Sequence, residues 1–369
     1  MFENIYHDRR VLVTGHTGFK GSWLCTWLSD LGATVAGFSI DVPTEPSHFE
    51  ALKLTKRIEH FQGDVRDKSV LKQTLKQFSP EIVFHLAAQS LVGKSYEKPL
   101  ETFSVNAIGT ANILESLIQI NKKVTVVMIT SDKAYDNVEW GWGYRETDRL
   151  GGKDPYSASK GMAEIVIRSY NESYFKNVNN NIRVSSVRAG NVIGGGDWAE
   201  DRIVPDCVKA WALGKKVDIR RPDATRPWQH VLEPLSGYLS LAEQMVEKYE
   251  LCYEAYNFGP PSNQDYNVRE LINQMAKCWS QVRWNDVSLD QEYLHEAGLL
   301  KLNCDKALSF LGWVPTLNFD ETVQMTIEWY KFFYLNEKQN KSTYTFTTQQ
   351  INRYEQYAND RGVGWAIND

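Results

Sequence analysis

Short apolar runs alternate with helical patterns of apolar and polar residues along the first half of the chain. The runs predict strands at 11–14, 33–40, 58–63, 81–88, 124–129 and 182–187. Between the first two, Trp23, Leu24, Trp27, Leu28 and Leu31 recur at helical spacing. The run Glu81–Ala88 is almost continuously apolar, which is typical of a parallel strand buried on both faces. This alternation predicts an α/β protein with a doubly wound parallel sheet.

The alternation becomes irregular after residue 187. We expect residues 1–187 to form the domain with the parallel sheet, and residues 188–336 to form a smaller, mixed α/β substrate domain. The run at 253–259 reads as a strand that rejoins the sheet of the first domain. From about Glu337 the chain is rich in Asn, Gln, Thr and Lys and poorly periodic, so 337–369 is predicted to be a polar C-terminal arm.

Three evenly spaced glycines, Gly15, Gly18 and Gly21, connect the first strand to the first helix. Strand, glycine turn and helix start together are typical of a site for a dinucleotide pyrophosphate, which the helix N-terminus attracts. The candidate cofactor contacts in this turn are Gly15, Thr17, Gly18 and Phe19. The alternative is an ordinary turn with chance glycines, because such a motif alone is a weak signal.

An acidic residue closes the second strand. Asp41 lies 20 residues beyond Gly21, where a carboxylate can accept hydrogen bonds from both hydroxyls of an adenosine ribose. No arginine follows before Arg57, so a 2′-phosphate would meet a negative charge without a nearby cation. The sequence therefore favours NAD over NADP, the alternative being a solvated aspartate at the end of a strand.

Polar residues follow the fifth strand, where ligands bind in open α/β sheets. Thr130, Asp132 and Lys133 stand there, and the next helix carries Tyr156 and Lys160 on one face. The lysine ammonium is expected to lower the tyrosine pKa from about 10 by favouring the phenolate. Such a phenolate can take the proton of a hydroxyl while a hydride leaves the same carbon.

Charge and composition narrow the classes of partner. The net charge of −5 argues against nucleic acid, and the five scattered cysteines argue against a disulfide framework or a metal site and favour the cytoplasm. No apolar run is long enough to predict a membrane span. The arginines at 220, 221 and 226 are candidates for binding a diphosphate, with surface solvation as the alternative.

These motifs together resemble the extended short-chain dehydrogenase/reductase family, whose fold is a Rossmann sheet. The resemblance rests on the glycine turn, Asp64, Asn106, Thr130, Tyr156-x-x-x-Lys160 and the stretch from Arg188 to Asn191. Within the family, the stretches 14–24, 130–135, 194–198 and 226–231 are similar to those of sugar-nucleotide 4,6-dehydratases. By this resemblance the cofactor is NAD and the substrate is CDP-glucose.

The resemblance implies a three-step reaction that serves deoxysugar and O-antigen type polysaccharide biosynthesis. Tyr156, assisted by Lys160, deprotonates the C4 hydroxyl while hydride passes to NAD, and Thr130 binds that hydroxyl. Asp132 protonates the departing C6 oxygen, since a neutral carboxylic acid can donate to a leaving group. Lys133 stands where many of these dehydratases carry a glutamate, and it would have to remove the C5 proton as a neutral amine.

The same resemblance supplies the remaining site residues. The cofactor would also contact Asp64, Val65, Ala87, Ala88 and Asn106, and the substrate would contact Arg188, Asn191, Arg220 and Arg226. Family members pack the helices near 99–120 and 156–170 against a second copy, so we expect a homodimer or homotetramer.

Two other functions stay open at this point. A sugar-nucleotide 4-epimerase or reductase would use Tyr156 and Lys160 but has no need of Asp132 and Lys133. A non-enzymatic NAD-sensing protein would not need Thr130, Tyr156 and Lys160 to occur together.

Overall fold

The structure is a computed structural model that describes residues 1–177, 181–261, 264–280, 282–288, 299–336 and 342–367. A sheet of seven parallel strands lies at its centre, in the order β11-β6-β5-β4-β1-β2-β3. These strands are β1 (Arg10–Thr14), β2 (Thr34–Ser39), β3 (Glu59–Gln62), β4 (Ile82–His85), β5 (Val124–Ile129), β6 (Ile182–Ala189) and β11 (Ala255–Phe258). The predicted doubly wound parallel sheet is confirmed.

The strand order reverses between β1 and β4, because the chain first builds outward through β2 and β3 and then returns to the other side of β1. Every residue of β4 and β5 is buried, which agrees with helices covering both faces of the sheet. Such a reversal leaves a crevice at the carboxyl ends of the strands, where α/β proteins bind ligands.

The helices are α1 (Phe19–Asp30), α2 (His48–Ala51), α3 (Lys68–Phe78), α4 (Val92–Glu97), α5 (Pro99–Phe103), α6 (Gly109–Leu117), α7 (Pro155–Tyr170), α8 (Ile203–Ala212), α9 (Leu232–Glu247), α10 (Val268–Cys278), α11 (Asp305–Leu311), α12 (Phe319–Asn336) and α13 (Thr343–Asp360). None of the helices in the described part of the chain combines the length and apolar character needed to cross a membrane.

The single long helix predicted at 99–120 is interrupted. A π-helical turn at Ser104–Ile108 separates α5 from α6. Such turns are frequent at functional sites, since they redirect side chains within a helix. Here the turn carries Asn106, which points to the end of β4.

The chain beyond β6 adds three small sheets around one end of the central sheet. They pair β7 (Val192–Ile193) with β10 (Gln229–His230), β8 (Val217–Ile219) with β13 (Trp284–Asp286), and β9 (Thr225–Arg226) with β12 (Tyr266–Asn267). The first two pairs are parallel and the third is antiparallel. The domain boundaries at 187 and 336 stay predictions.

The C-terminal segment differs from the predicted polar arm. Its first residues, 337–341, lie outside the described part of the chain, and the rest contains α13, which packs against α1 and α12. The buried face of α13 includes Thr347, Gln350 and Glu355 beside Ile351 and Tyr354. Polar residues on a buried face hide the helical periodicity in the sequence, which is why the helix was missed.

The polar residues of that face are hydrogen-bonded to the protein. Thr347 accepts from the indole N–H of Trp329 at 2.8 Å, and Glu355 accepts from that of Trp27 at 2.8 Å. Gln350 donates to the backbone carbonyl of Met325 at 2.8 Å. Because buried polar groups are tolerated when they are paired, α13 is a packed part of the fold.

Candidate active site

The carboxyl ends of the central strands open onto a cleft of about 1640 Å³. This volume exceeds the roughly 300–1,000 Å³ of a typical small-molecule site, so the cleft has room for two extended ligands. Most of the predicted site residues line it: Gly15, Thr17, Gly18, Phe19, Asp41, Asp64, Val65, Ala87, Ala88, Thr130, Asp132, Lys133, Tyr156, Lys160, Asn191, Arg220 and Arg226. Asn106 and Arg188 lie outside this lining.

The glycine turn allows no larger side chains at two of its positions. Gly15 has a φ of 74°, and a β-carbon on it would lie 2.7 Å from the backbone nitrogen of Ala87. A β-carbon on Gly21 would lie 2.3 Å from the carbonyl oxygen of Gly15. Helix α1 starts directly behind this turn with Gly18 as its N-cap, and no side chain caps it. Its N-terminal N–H groups are therefore available to an anion in the cleft.

The end of β2 is tied to the glycine turn. The hydroxyl of Thr17 donates to the backbone carbonyl of Asp41 at 2.6 Å, which fixes the loop that carries the Asp41 carboxyl. The Asp41 side chain is exposed at the rim of the cleft. Asp64, after β3, pairs with Arg66 at 2.6 Å. Asp41 thus places a carboxylate at this end of the cleft, as expected for a ribose site, while the charge of Asp64 is compensated by Arg66.

Asn106 is buried and is not among the residues that line the cleft, so its contact with the cofactor stays a prediction. Its amide accepts from the backbone N–H of Gln89 at 2.8 Å and donates to the hydroxyl of Ser159 at 2.8 Å. It therefore joins the segment after β4 to α7. Both elements line the cleft, so the role of Asn106 is to hold them in register.

The residues after β5 form a short 3₁₀ turn, Asp132–Ala134, at the floor of the cleft. Ser131 caps this turn by accepting from the backbone N–H of Lys133 at 3.2 Å, and it donates to Asp132 at 3.0 Å. Burial raises the pKa of Asp132, although the nearby Lys133 and Lys20 charges act against the shift. A raised pKa keeps the carboxyl protonated to higher pH, as an acid catalyst requires.

The start of α7 is set by its sequence. Asp154 accepts from the backbone N–H of Ser157 at 3.0 Å, and Pro155 occupies the first helical position. This fixes Tyr156 and Lys160, both buried, on the face that lines the cleft.

Burial acts on both members of the Tyr156–Lys160 pair. Burial raises the pKa of Tyr156 to about 12, while a hydrogen bond with Ser131 and the charge of Arg202 act in the opposite direction. Burial also lowers the pKa of Lys160 to about 8, against the nearby charge of Glu164. The prediction considered the spacing of the two residues in the helix and could not include desolvation by the folded chain.

Two cations at the reaction end of the cleft, Lys20 and Arg202, have no role predicted from the sequence. Lys20, at the start of α1, faces the charges of Arg202, Asp132, Lys160 and Asp197, and burial lowers its pKa to about 8. Arg202 donates to Asp197 at 2.8 Å. Lys20 was noticeable within the glycine turn, whereas Arg202 lies in an irregular segment whose position only the fold reveals.

Arg188 does not face the cleft, which corrects its prediction as a substrate contact. It is 3% exposed and pairs with Glu164 of α7 at 2.9 Å through two of its nitrogens. A third nitrogen donates to the hydroxyl of Tyr135 at 2.7 Å. With a further hydrogen bond to the backbone carbonyl of Glu146 at 3.1 Å, each of its three nitrogens donates inside the protein.

The other predicted substrate contacts, Asn191, Arg220 and Arg226, line the cleft. Asn191 and Arg226 are half-buried, and Arg220 is exposed and pairs with Asp201 at 3.2 Å. Asn191 follows β6, the neighbour of β5 in the sheet, and the two arginines come from segments farther along the chain. The fold therefore brings them into the same cleft as Thr130 and Tyr156.

The model of the GDP-mannose 4,6 dehydratase family matches residues 12–326. The chain belongs to this family. It is also 47% identical to the CDP-glucose 4,6-dehydratase of Salmonella typhimurium over 335 residues, which cover 89% of this chain and 92% of that protein. The family predicted from the sequence is confirmed.

Solved structures agree on the fold. The UDP-glucose 4-epimerase of Thermus thermophilus, solved in complex with NAD, aligns with a TM-score of 0.72 at 25% identity, covering 87% of this chain and 99% of its own. The UDP-glucose 4-epimerase of Thermotoga maritima, solved with UDP-glucose, aligns with a TM-score of 0.74 at 22% identity, covering 89% and 99% of the two chains. This dehydratase-family chain therefore shares its fold with epimerases.

Proposed function

We propose that the chain converts CDP-glucose to CDP-4-dehydro-6-deoxyglucose with NAD as a bound cofactor. The observation that carries the proposal is the buried acid Asp132, beside Lys133, in the cleft that also holds Thr130 and Tyr156. An epimerase has no use for an acid and a base at this place. The relative that is 47% identical has this activity by name, while the epimerases compared above are at most 25% identical.

The residues of the cleft fit the cofactor. The glycine turn leaves a cradle that β-carbons would fill, and the uncapped start of α1 offers N–H groups to a diphosphate. Asp41, with no cation beside it in the sequence before Lys53, suits an unphosphorylated ribose. When bound, NAD takes the C4 hydride of the sugar and later returns it to C6.

In the proposed reaction Tyr156 accepts the proton of the C4 hydroxyl, which Thr130 binds. The C4 ketone makes the C5 proton acidic, and Lys133 removes it. Asp132, whose pKa burial raises, gives a proton to the C6 oxygen so that water leaves. When C6 is reduced, the proton that Lys133 took returns to C5 and the C4 ketone remains. The proton left on Tyr156 balances the one that Asp132 gave up, so the enzyme is restored without net gain or loss of protons.

Incubation with CDP-glucose and measurement of the product mass tests the proposal. Loss of one water supports the dehydratase, whereas isomerisation without a change of mass supports the 4-epimerase. A lack of any turnover, with NAD bound, would indicate a binding protein. Parallel incubations with UDP-glucose and dTDP-glucose measure the preference for the cytosine base.

We also propose that the chain forms a homodimer through α5, the π-helical turn and α7. Four apolar side chains on these elements are exposed: Leu100 by 83%, Ile108 by 54%, Met162 by 43% and Ile165 by 57%. An apolar surface of this kind is typical of a protein interface. Light scattering of the wild type and of the Ile165→Glu variant tests this, since a charge in the interface should shift the mass to that of one chain.

A further inference from the structure

Glu164 of α7 lies directly below the reaction end of the cleft and is 4% exposed. Its carboxylate accepts hydrogen bonds from three residues outside its own helix. Thr130, after β5, donates its hydroxyl to one oxygen, and Ser186 of β6 donates to the other at 2.9 Å. Arg188 of β6 donates to both oxygens at 2.9 Å.

The charge of this carboxylate is secured by the arginine. Burial alone would raise the pKa of Glu164, but the charge and hydrogen bonds of Arg188, with those of Thr130 and Ser186, hold it below its ordinary value. A charged acceptor binds a hydroxyl hydrogen more strongly than a neutral carbonyl does. The Thr130 hydrogen therefore points to Glu164 in preference to the Val187 carbonyl, which lies 3.1 Å away.

This direction decides what Thr130 can offer to a ligand. With its only hydrogen on Glu164, its oxygen presents lone pairs to the cleft. Thr130 can then accept a hydrogen bond from a sugar hydroxyl but cannot donate one. The hydrogen of the bound C4 hydroxyl then lies between two acceptors, Thr130 and the Tyr156 phenolate, and it passes to Tyr156 in the proposed reaction.

Glu164 also acts on Lys160, a charged residue of the same helix. It lies four residues after Lys160, a spacing that places the two side chains on one helix face. The other charged or titratable groups that act on this region are His85 of β4, Lys20 of α1, and Arg188 with Tyr135. Glu164 is the negative charge that favours the ammonium form of Lys160.

We infer that Glu164, held by Arg188, is a positioning residue for the reaction, acting through Thr130 and Lys160 without touching the substrate. The inference rests on the proposed dehydratase function. It extends the Tyr156-x-x-x-Lys160 pair by one further helical turn, to Tyr156-x-x-x-Lys160-x-x-x-Glu164. It also gives Arg188 a role that replaces the predicted contact with substrate.

The test compares Glu164→Gln with Ser186→Ala. Glu164→Gln keeps the shape but removes the charge, while Ser186→Ala removes one hydrogen bond of the same carboxylate and leaves its charge. We expect Glu164→Gln to lower kcat/KM by up to about 100-fold, the loss that a misplacement of about 1 Å can cause. The alkaline limb of its kcat profile should move to lower pH, because Lys160 loses the charge that favours its ammonium form.

Ser186→Ala should keep the alkaline limb of the wild type. Glu164→Gln leaves the buried charge of Arg188 without its partner, which can destabilise the fold. The double variant Glu164→Gln/Arg188→Met removes both charges and so provides a second measurement without an unpaired buried charge. Its alkaline limb should move in the same direction but less far, because loss of the Arg188 charge acts against loss of the Glu164 charge. The fold of each variant is checked by its thermal unfolding.

The inference is overturned if folded Glu164→Gln or the double variant keeps the wild-type kcat/KM and alkaline limb. It is also overturned if Ser186→Ala shifts that limb equally, since the effect would then follow from disturbing the network and not from its charge. A wild-type enzyme that removes no water from CDP-glucose would instead refute the proposed function. The two failures are therefore distinguishable.

Discussion

Two regions of the molecule are each built around a buried glutamate, and the two carboxyl groups differ in charge. At the cleft, the Arg188 guanidinium keeps the pKa of Glu164 low in spite of its burial. At the junction of α9 and α13, burial raises the pKa of Glu233 to about 7. Glu233 accepts from the backbone N–H groups of Thr316 and Leu317 and from the hydroxyl of Tyr354 at 3.0 Å.

The difference follows from the partners and not from the depth of burial, since both side chains are almost fully enclosed. A guanidinium compensates a carboxylate charge, whereas neutral N–H and O–H donors compensate it only in part. The cleft region thus retains charge near Thr130 and Lys160. The C-terminal region uses its glutamate to join segments distant in sequence, so changes there should alter stability and leave catalysis intact.

The largest effect is expected at the cleft, from Tyr156→Phe. Loss of the phenol removes the group that accepts the C4 proton, and general acid–base catalysis of this kind contributes about 10²- to 10⁴-fold. We expect turnover of CDP-glucose to fall by that factor and no reduced cofactor to accumulate, as measured by its near-ultraviolet absorbance. The unfolding midpoint in urea should change little.

Tyr238→Phe is the matched control for that substitution. Tyr238 is a buried tyrosine of α9 whose hydroxyl has no hydrogen-bond partner among the described residues. Burial raises the pKa of Tyr238, with the Asp132 charge acting in the same direction, so this hydroxyl stays neutral and its removal should lower turnover far less than the loss of the Tyr156 hydroxyl. Formation of reduced cofactor by Tyr156→Phe, at the rate of the wild type, would contradict the assigned role of Tyr156.

A second change at the cleft separates the steps of the reaction. Lys133→Met should still allow oxidation at C4, seen as accumulation of reduced cofactor, while loss of water falls by about 10²-fold or more. Lys20→Met provides the comparison, because burial lowers the pKa of Lys20 to about 8 and it lies near Asp132. If Lys133→Met kept dehydration and Lys20→Met lost it, the C5 base would be Lys20.

Much of the cleft was predictable because its residues follow strands. The glycine turn, Asp41, Thr130 and Asp132 take their places directly from the ends of β1, β2 and β5. Parallel strands bring their carboxyl ends to one edge of a sheet, so periodicity alone was enough to group these side chains.

The misses have a different physical origin. Arg188 is at the end of a strand as well, but its partner Glu164 is on a helix, and the sequence does not indicate that the two meet. Helix α13 was missed because its buried face is polar, with hydrogen bonds that only the packed structure supplies. In both the cleft and the C-terminal region, the sequence therefore did not indicate which polar groups pair over long distances along the chain.

In the C-terminal region, Glu233→Ala should destabilise the protein without impairing the folded enzyme. The change leaves the N–H groups of Thr316 and Leu317 and the Tyr354 hydroxyl with fewer acceptors, and an unsatisfied buried group costs about 1–3 kcal/mol. We expect a loss of about 3 kcal/mol in the free energy of unfolding, measured by urea titration. A large loss of kcat at unchanged stability would break the comparison between the two regions.

The last effect is a dependence of stability on pH that comes from Glu233 and leaves catalysis aside. Burial raises the pKa of Glu233 from an ordinary 4.5 to about 7 in the folded protein. The hydrogen bonds to its carboxyl and the charge of Arg361 lower the pKa, but they offset the effect of burial only in part. Between these values the folded protein holds a proton that the unfolded chain has lost. Its contribution to stability is therefore greatest below about pH 4.5 and decreases as pH rises toward 7, by about 1.4 kcal/mol per pKa unit.

Glu233→Gln cannot lose a proton and should remove this part of the slope. Glu355, whose pKa burial also raises to about 7, keeps a slope of the same sign in the variant. The informative quantity is thus the difference in unfolding free energy between wild type and variant, at about pH 5 and about pH 8. The variant should gain stability relative to the wild type at the higher pH. If the difference in unfolding free energy were the same at both pH values, Glu233 would keep one charge state between them. The two glutamates would then not differ in charge in the way proposed here.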